Sequence, residues 1–131
     1  MKEPDKFIII DDDFVNNSIL SISIRRALGR DNVEAFNSAR EGIRYIENEC
    51  KTAQKNLRIV LFLDINLPVI SGWDALAKLE VLDENIKKHL TVFMLSCSID
   101  PKDKKRAMEH SLVCDFLEKP LSIDKIEALF K

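Results

Sequence analysis

The 131-residue sequence predicts an α/β domain in which helices cover both faces of a doubly wound, five-stranded parallel sheet. Three observations favour this fold. Short apolar runs alternate with helical patterns along the chain, giving five strands and five helices. The runs are continuously apolar, which is typical of strands buried on both faces. Length and composition, with 46% apolar and 32% charged residues, fit a single globular domain over residues 1–131.

Five segments are predicted to form the strands. The first is a run of Phe and Ile that ends in three acids, and the second is weaker. The third and fourth contain the longest apolar runs of the chain. In order, the predicted strands are Phe7–Ile10, Val33–Phe36, Ile59–Leu63, Thr91–Leu95 and Val113–Leu117.

Helical patterns fill the gaps between the strands. Residues that favour helix starts precede three of the helices, as N-caps, a capping box or a proline in the first turn. They are Ser38 with Glu41, Asp100 with Pro101, and Ser122. The second helix has one clean apolar face, and Tyr45 lies off it as an expected surface aromatic. That face comprises Ala39, Ile43, Ile46, Cys50 and Ala53.

Two helices have less regular patterns. The first, about Phe14–Leu28, is apolar on two sides, so we expect one side to face the sheet and the other to meet a neighbouring helix or a partner. The fourth is mostly charged, and only Ala107 and Met108 are expected to pack, which predicts low local stability. The third follows Gly72, and Trp73 is expected to pack beneath the loop that precedes it.

Composition and charge exclude several classes of function. The 20 Lys and Arg nearly balance the 22 Asp and Glu, so no basic excess indicates nucleic-acid binding. No apolar run is long enough to cross a bilayer and the N-terminus lacks a secretory signal, so we expect a cytoplasmic protein without membrane contact. Three cysteines without a C-x-x-C motif and two histidines predict reduced thiols, with neither a zinc site nor Cys/His catalysis.

Polar side chains follow four of the five predicted strands, where sites of open α/β sheets form. They are Asp11–Asp13, Asp64, Ser96 and Lys119. Carboxylates crowded at one edge repel and favour a cation, and a set of oxygen ligands suits Mg²⁺. A nearby lysine and hydroxyl can bind phosphoryl oxygens. Asp64 is therefore a candidate nucleophile for phosphoryl transfer.

Four stretches of the chain, in this order, resemble the receiver domain of two-component response regulators. They are Phe7–Asp13, Leu63–Trp73, Met94–Ser96 and Phe116–Leu121. The Leu-Asp-x-x-x-Pro-x-x-x-Gly pattern and the Lys-Pro pair make the signal specific, and the resemblance covers essentially the whole chain. It implies the strand order 2-1-3-4-5 and a phosphorelay phosphoprotein that is a regulator and not an enzyme, limited to self-phosphorylation and slow self-dephosphorylation.

The resemblance also implies roles for the residues of the site. Asp64 would accept a phosphoryl group from a histidine kinase or a histidine phosphotransfer protein. Asp11, Asp12 and Asp64 would hold Mg²⁺ together with the backbone carbonyl of Asn66. Lys119 would pair with the acyl phosphate. Asp13 occupies a variable position of the family, as a surface acid or a helix cap.

Ser96 and Phe116 match the two switch positions of the family, although Phe116 also fits simple core packing. Phosphorylation of Asp64 would draw Ser96 to the phosphoryl group and vacate space for Phe116 to enter. The surface of the fourth helix, fifth strand and fifth helix would then change for a downstream protein partner, and a phosphorylation-dependent dimer fits the same resemblance. Cys97, beside Ser96, either narrows access to Asp64 or is inert.

Two other interpretations stay open. The run around the first acids also fits the Asp-x-Asp motif of haloacid-dehalogenase-type phosphatases, with Asp11 as nucleophile and Asp13 as acid, which leaves the Asp64 loop without a function. The second interpretation is a degenerate receiver that acts only as a binding module. The kinase and the output are open, and a stand-alone regulator, a relay intermediate and part of a longer protein all fit the sequence.

Overall fold

A computed structural model describes residues 1–52 and 56–131 and shows a five-stranded sheet with helices on both faces. The strands are β1 (Lys6–Ile10), β2 (Val33–Phe36), β3 (Ile59–Asp64), β4 (Leu90–Ser96) and β5 (Val113–Glu118). The helices are α1 (Phe14–Leu28), α2 (Ala39–Lys51), α3 (Gly72–Glu80), α4 (Glu84–Lys87), α5 (Pro101–Met108) and α6 (Ile123–Phe130).

The sheet confirms the predicted fold. Its strands are ordered β2-β1-β3-β4-β5, and every neighbouring pair is parallel. The prediction of five helices is wrong, because the short helix α4 forms between α3 and β4, with Asp83 as its N-cap. The fourth and fifth predicted helices are therefore α5 and α6. In the described part of the chain, no helix is long and apolar enough to span a membrane.

The core has one apolar layer on each face of the sheet. Ile8 and Ile10 of β1 point into the layer with α2, α3 and α5, whereas Phe7 and Ile9 point into the layer with α1 and α6. In the second layer Phe130 packs edge-on against Phe7, Phe62 and Phe93. Burial on both faces explains why the strands are continuously apolar in sequence.

The predicted N-caps are present in the structure. The side chains of Ser38, Asp100 and Ser122 accept backbone N–H groups of their helices' first turns. Pro101 occupies the first turn of α5, where the missing N–H costs little.

Helix α1 buries only one of its two apolar sides. Leu20, Ile24, Ala27 and Leu28 lie in the core. The opposite side, called here the α1 outer face, consists of Phe14, Val15, Ile19 and Ile22, which are 80%, 59%, 45% and 47% exposed. Among the described residues, no neighbouring helix buries this face.

Three side chains differ from expectation or lie outside the described residues. Tyr45 is half-buried and not a surface aromatic, because its ring packs against Phe36 and its hydroxyl contacts Lys6 and Glu49. Met108 was expected to pack but is 46% exposed, so Ala107 is the buried residue of α5. Ala53 lies outside the described residues.

Candidate functional site

The acidic turn after β1 is held by hydrogen bonds of its own residues. Asp13 is the N-cap of α1 and accepts the N–H groups of Val15 and Asn16. The N–H of Asp13 donates to Asp11 Oδ1 at 2.9 Å. From α1, the buried Asn17 Nδ2 donates to the backbone carbonyl of Asp11 at 2.9 Å. These bonds leave Asp11 Oδ2 directed to the interior of the site.

Asp64 is the last residue of β3 and is buried, with 3% of its surface exposed. The backbone N–H of Asn66 donates to Asp64 Oδ1 at 3.2 Å. The loop returns to this point, where the N–H of Gly72 donates to the carbonyl of Ile65 at 2.9 Å. A Cβ on Gly72 would lie 2.4 Å from the Asp64 carbonyl oxygen, so glycine alone permits this approach.

Lys119, which follows β5, joins the two buried acids. Its Nζ lies 2.9 Å from Asp11 Oδ2 and 3.3 Å from Asp64 Oδ2. Its backbone N–H donates to the carbonyl of Ser96 at 2.7 Å, which fixes the start of its side chain beside the end of β4. An ammonium between two carboxylates offsets part of their mutual repulsion.

The three acids form a cluster suited to a cation. Carboxylate oxygens of Asp11, Asp12 and Asp64 all lie within 4.8 Å of one another, and Asp12 is the exposed member. An oxygen-only donor set with one solvent-facing side fits Mg²⁺, which keeps several of its waters. The donor chemistry of this chain therefore agrees with the predicted metal site.

Burial governs the charge states within the site. Desolvation raises the pKa of Asp64, and the nearby charge of Asp11 adds to it, while the Asn66 N–H and Lys119 oppose it. Desolvation also acts to lower the pKa of Lys119, but the carboxylates of Asp11 and Asp64 outweigh it, so that pKa lies above its ordinary value. The lysine is therefore charged at neutral pH.

The other candidate residues differ in how deeply they are buried. Ser96 is buried at the end of β4, and its Oγ accepts the N–H of Ser98 at 3.3 Å. The side chain of Asn66 is exposed. Cys97 is exposed and its thiol is free. Phe116 is 2% exposed and lies in the core layer that contains α2, α3 and α5.

A bulge in β5 determines the direction of Phe116. Val92 pairs with Val113 and Phe93 pairs with Asp115, so Cys114 has no partner in β4. The extra residue shifts the alternation and puts Val113 and Phe116 in the same core layer. Nothing in the sequence indicated this bulge.

Sequence reasoning missed Asn17. It lies on the side of α1 that is buried, among Leu20 and Ile24, and it ties that helix to the carbonyl of Asp11. An amide on an otherwise apolar helix face was a readable signal, because buried polar groups need hydrogen-bond partners.

Comparisons with known proteins agree on one family. A family model described as "Response regulator receiver domain" matches residues 7–131. A two-component response regulator from Cytophaga hutchinsonii has 27% sequence identity and a TM-score of 0.81, with 98% of this chain and 95% of that chain covered. A response regulator receiver protein from Dyadobacter fermentans has 24% identity and a TM-score of 0.80, covering 95% and 93%.

A more distant similarity concerns fold alone. The chemotaxis protein CheY4 of Vibrio cholerae is 19% identical, with a TM-score of 0.72 and coverage of 97% of this chain and 96% of that chain. The search of curated proteins gives no match.

We expect Gly72→Ala to lower the free energy of unfolding by about 1–3 kcal/mol, because the added methyl group meets backbone atoms of Asp64 and Ile65 that cannot rotate away. Urea unfolding measures the loss. Gly29→Asn is the control, since nothing lies within 4 Å of a Cβ there and Asn tolerates the φ of 67°. Equal stability of Gly72→Ala and the wild type would contradict the close approach.

We expect Asp64→Asn to raise the free energy of unfolding at pH 7 without Mg²⁺ by about 1 kcal/mol. Because burial raises the pKa of Asp64, the folded state loses stability as pH rises from the ordinary Asp pKa through the raised one. The variant lacks this loss, so its advantage should shrink as pH falls towards about 4.

Urea unfolding between these pH values tests the expectation, with Asp13→Asn as the control because Asn also caps helices. An Asp64→Asn variant that is less stable than the wild type at pH 7 would show that Lys119 fully compensates the buried charge.

Proposed function

This chain belongs to the response regulator receiver domain family, and on that premise we propose that Asp64 is its phosphoacceptor. The phosphoryl group comes from the phosphohistidine of a histidine kinase or a histidine phosphotransfer protein. The observation that carries the proposal is the contact of Lys119 Nζ with the carboxylates of both Asp11 and Asp64. The chain acts as a regulator and not as an enzyme with turnover.

In the proposed step, a carboxylate oxygen of Asp64 attacks the phosphorus atom of phosphohistidine. An O–P bond forms, the N–P bond breaks, and the imidazole nitrogen keeps the electron pair. Lys119, 3.3 Å from Asp64 Oδ2, is placed to bind a phosphoryl oxygen. Asp11, Asp12, Asp64 and the backbone carbonyl of Asn66 would hold Mg²⁺, which when bound supplies positive charge to the phosphoryl oxygens.

The proposed switch begins at Ser96. Its hydroxyl lies at the end of the strand next to β3, and a phosphoryl group on Asp64 adds acceptor oxygens within that edge of the sheet. Phe116 is already in the core, so it has no exposed position from which to enter vacated space. We therefore assign Phe116 a part in shaping the core beside α5, and the proposed partner surface is that of α5, β5 and α6.

The α1 outer face supports docking of the phosphodonor. A protein that brings a histidine to Asp64 must cover the neighbouring surface, and Phe14 follows the acidic turn directly. A groove of about 520 Å³ beside this face is lined by Asp12, Phe14, Ile22 and Arg25, among others. Exposed apolar residues grouped in this way mark protein interaction sites. This role fits a location in the cytoplasm, because the phosphodonor is phosphorylated there from ATP.

The phosphatase interpretation is weaker because of Asp13. Both N–H groups that Asp13 Oδ1 accepts belong to the first turn of α1, so this carboxylate serves as a helix cap. A general acid would need to face the group that Asp11 attacks. Asp64, buried beside Asp11 and Lys119, would have no role in such an enzyme.

Labelling with acetyl phosphate and Mg²⁺ tests the phosphoacceptor. We expect intact mass spectrometry to show one phosphoryl group on the wild type and on Asp13→Asn, none on Asp64→Asn, and a strongly reduced amount on Asp11→Asn. Loss of the label in Asp11→Asn alone would favour the phosphatase. A wild type that takes no label from acetyl phosphate or from any kinase would favour a binding module.

Kinase transfer tests the α1 outer face. We expect Val15→Ser, Ile19→Ser and Ile22→Ser combined to slow transfer about tenfold or more from any kinase that phosphorylates the wild type, because apolar contact is lost. Kinases encoded in the same genome provide the donors. Labelling by acetyl phosphate should not change. Val81→Ser is the control, since Val81 is 83% exposed on the far end of α3. Unchanged transfer to the triple variant would remove this face from the proposal.

A further inference from the structure

The single tryptophan of the chain connects the loop after Asp64 with α5. Trp73 is the second residue of α3 and is half-buried. The guanidinium carbon of Arg106, on α5, lies 4.2 Å from the centroid of the Trp73 ring. At this distance a planar guanidinium stacks on the indole and makes a cation–π contact. Within residues 1–52 and 56–131, no carboxylate forms an ion pair with Arg106.

Trp73 directly follows the residue that anchors the loop after Asp64. Its neighbour Gly72 donates an N–H to the carbonyl of Ile65 and packs its Cα against the backbone of Asp64. The opposite side of that loop is tied to the Asp64 side chain through the N–H of Asn66. Gly72 is therefore the link between the loop around Asp64 and Trp73.

Helix α5 buries little apolar area of its own. Ala107 is its one buried residue among the eight, and Met108 is 46% exposed. Beyond its end, His110 Nδ1 lies 3.4 Å from Glu80 Oε1 of α3. The helix packs mainly on strand β5, and the stack of Arg106 on Trp73 links it to the first turn of α3.

Movement of Phe116 in the core is a poor alternative route for a signal from Asp64 to α5. Phe116 already fills its place in the layer that also contains Ala107, and it has no hydroxyl that could favour a solvent-exposed rotamer. A signal that depends on an aromatic ring moving in from the surface has no starting position in this structure. The direct contact between α3 and α5 remains as a route.

We propose that the stack of Trp73 and Arg106 is the contact through which phosphorylation of Asp64 releases α5. The inference rests on the proposed function, because phosphorylation of Asp64 is its input. Without the phosphoryl group the stack holds α5 against the first turn of α3. When the loop closes on the phosphoryl group, Trp73 moves with Gly72, the stack opens, and α5 becomes free to adopt the form that a partner binds.

Fluorescence of the wild-type protein reports the stack directly, because Trp73 accounts for all tryptophan emission. Beryllofluoride with Mg²⁺ serves as the phosphoryl mimic. We expect it to change the emission and to raise the quenching of Trp73 by acrylamide. Amide hydrogen exchange over residues 101–108 should become about two- to fivefold faster, the range that the loss of one exposed cation–π contact allows.

Variants of Arg106 separate the stack from other causes. Arg106→Met keeps the length of the side chain but not its charge, and without the mimic it should already show the fast exchange and the strong quenching, with little further response. Arg106→Lys retains a cation but not a planar group. Its amide exchange and its Trp73 quenching should lie between those of the wild type and those of Arg106→Met. Lys105→Met, an exposed charge on the same helix, is the matched control and should behave as the wild type.

The outcomes distinguish this inference from the phosphoacceptor itself. If acetyl phosphate labels Asp64 but Trp73 emission and the exchange of residues 101–108 stay unchanged, the stack is not the switch contact and the phosphoacceptor stands. If Phe116→Leu abolishes the response while Arg106→Met retains it, the signal passes through the core and the inference is overturned. If no label reaches Asp64, the proposed function is wrong, and this inference is overturned with it.

Discussion

The site depends on one interaction, in which the ammonium group of Lys119 lies between the carboxylates of Asp11 and Asp64. Both acids are 3% exposed, and two such charges at close range are unfavourable without a cation. Lys119 supplies that charge from the end of β5, 2.9 Å and 3.3 Å from the two side chains. The contact joins the ends of three strands that are far apart in sequence.

The surrounding backbone makes this contact possible. Parallel strands bring all their carboxyl ends to one edge, so each strand delivers its terminal side chain to the same place. Hydrogen bonds then set the details: Asn17 fixes the acidic turn, and Gly72 allows α3 to start against the backbone of Asp64. The first turn of α3 therefore lies directly against the strand end that carries the buried carboxylate.

The exposed surfaces divide the proposed function between two sides of the site. The α1 outer face lies beside the acidic turn and suits a protein that delivers the phosphoryl group. Helix α5 lies on the other side, buries only Ala107 and contacts Trp73 through Arg106, which suits a segment that changes position. Separate surfaces allow a donor and a downstream partner to be recognised independently.

The sequence by itself determined the strands, their order through the resemblance to a known family, the caps at Ser38, Asp100 and Ser122, and the group of residues 11, 12, 64, 96 and 119. Local patterns suffice there, because burial on both faces and cap chemistry are written in neighbouring residues. Only the tertiary structure decided the inward direction of Phe116, the one-turn helix α4, the half-buried Tyr45 and the stack of Arg106 on Trp73. A bulge and a contact between residues 33 positions apart arise from packing of distant segments, and no local periodicity carries that information.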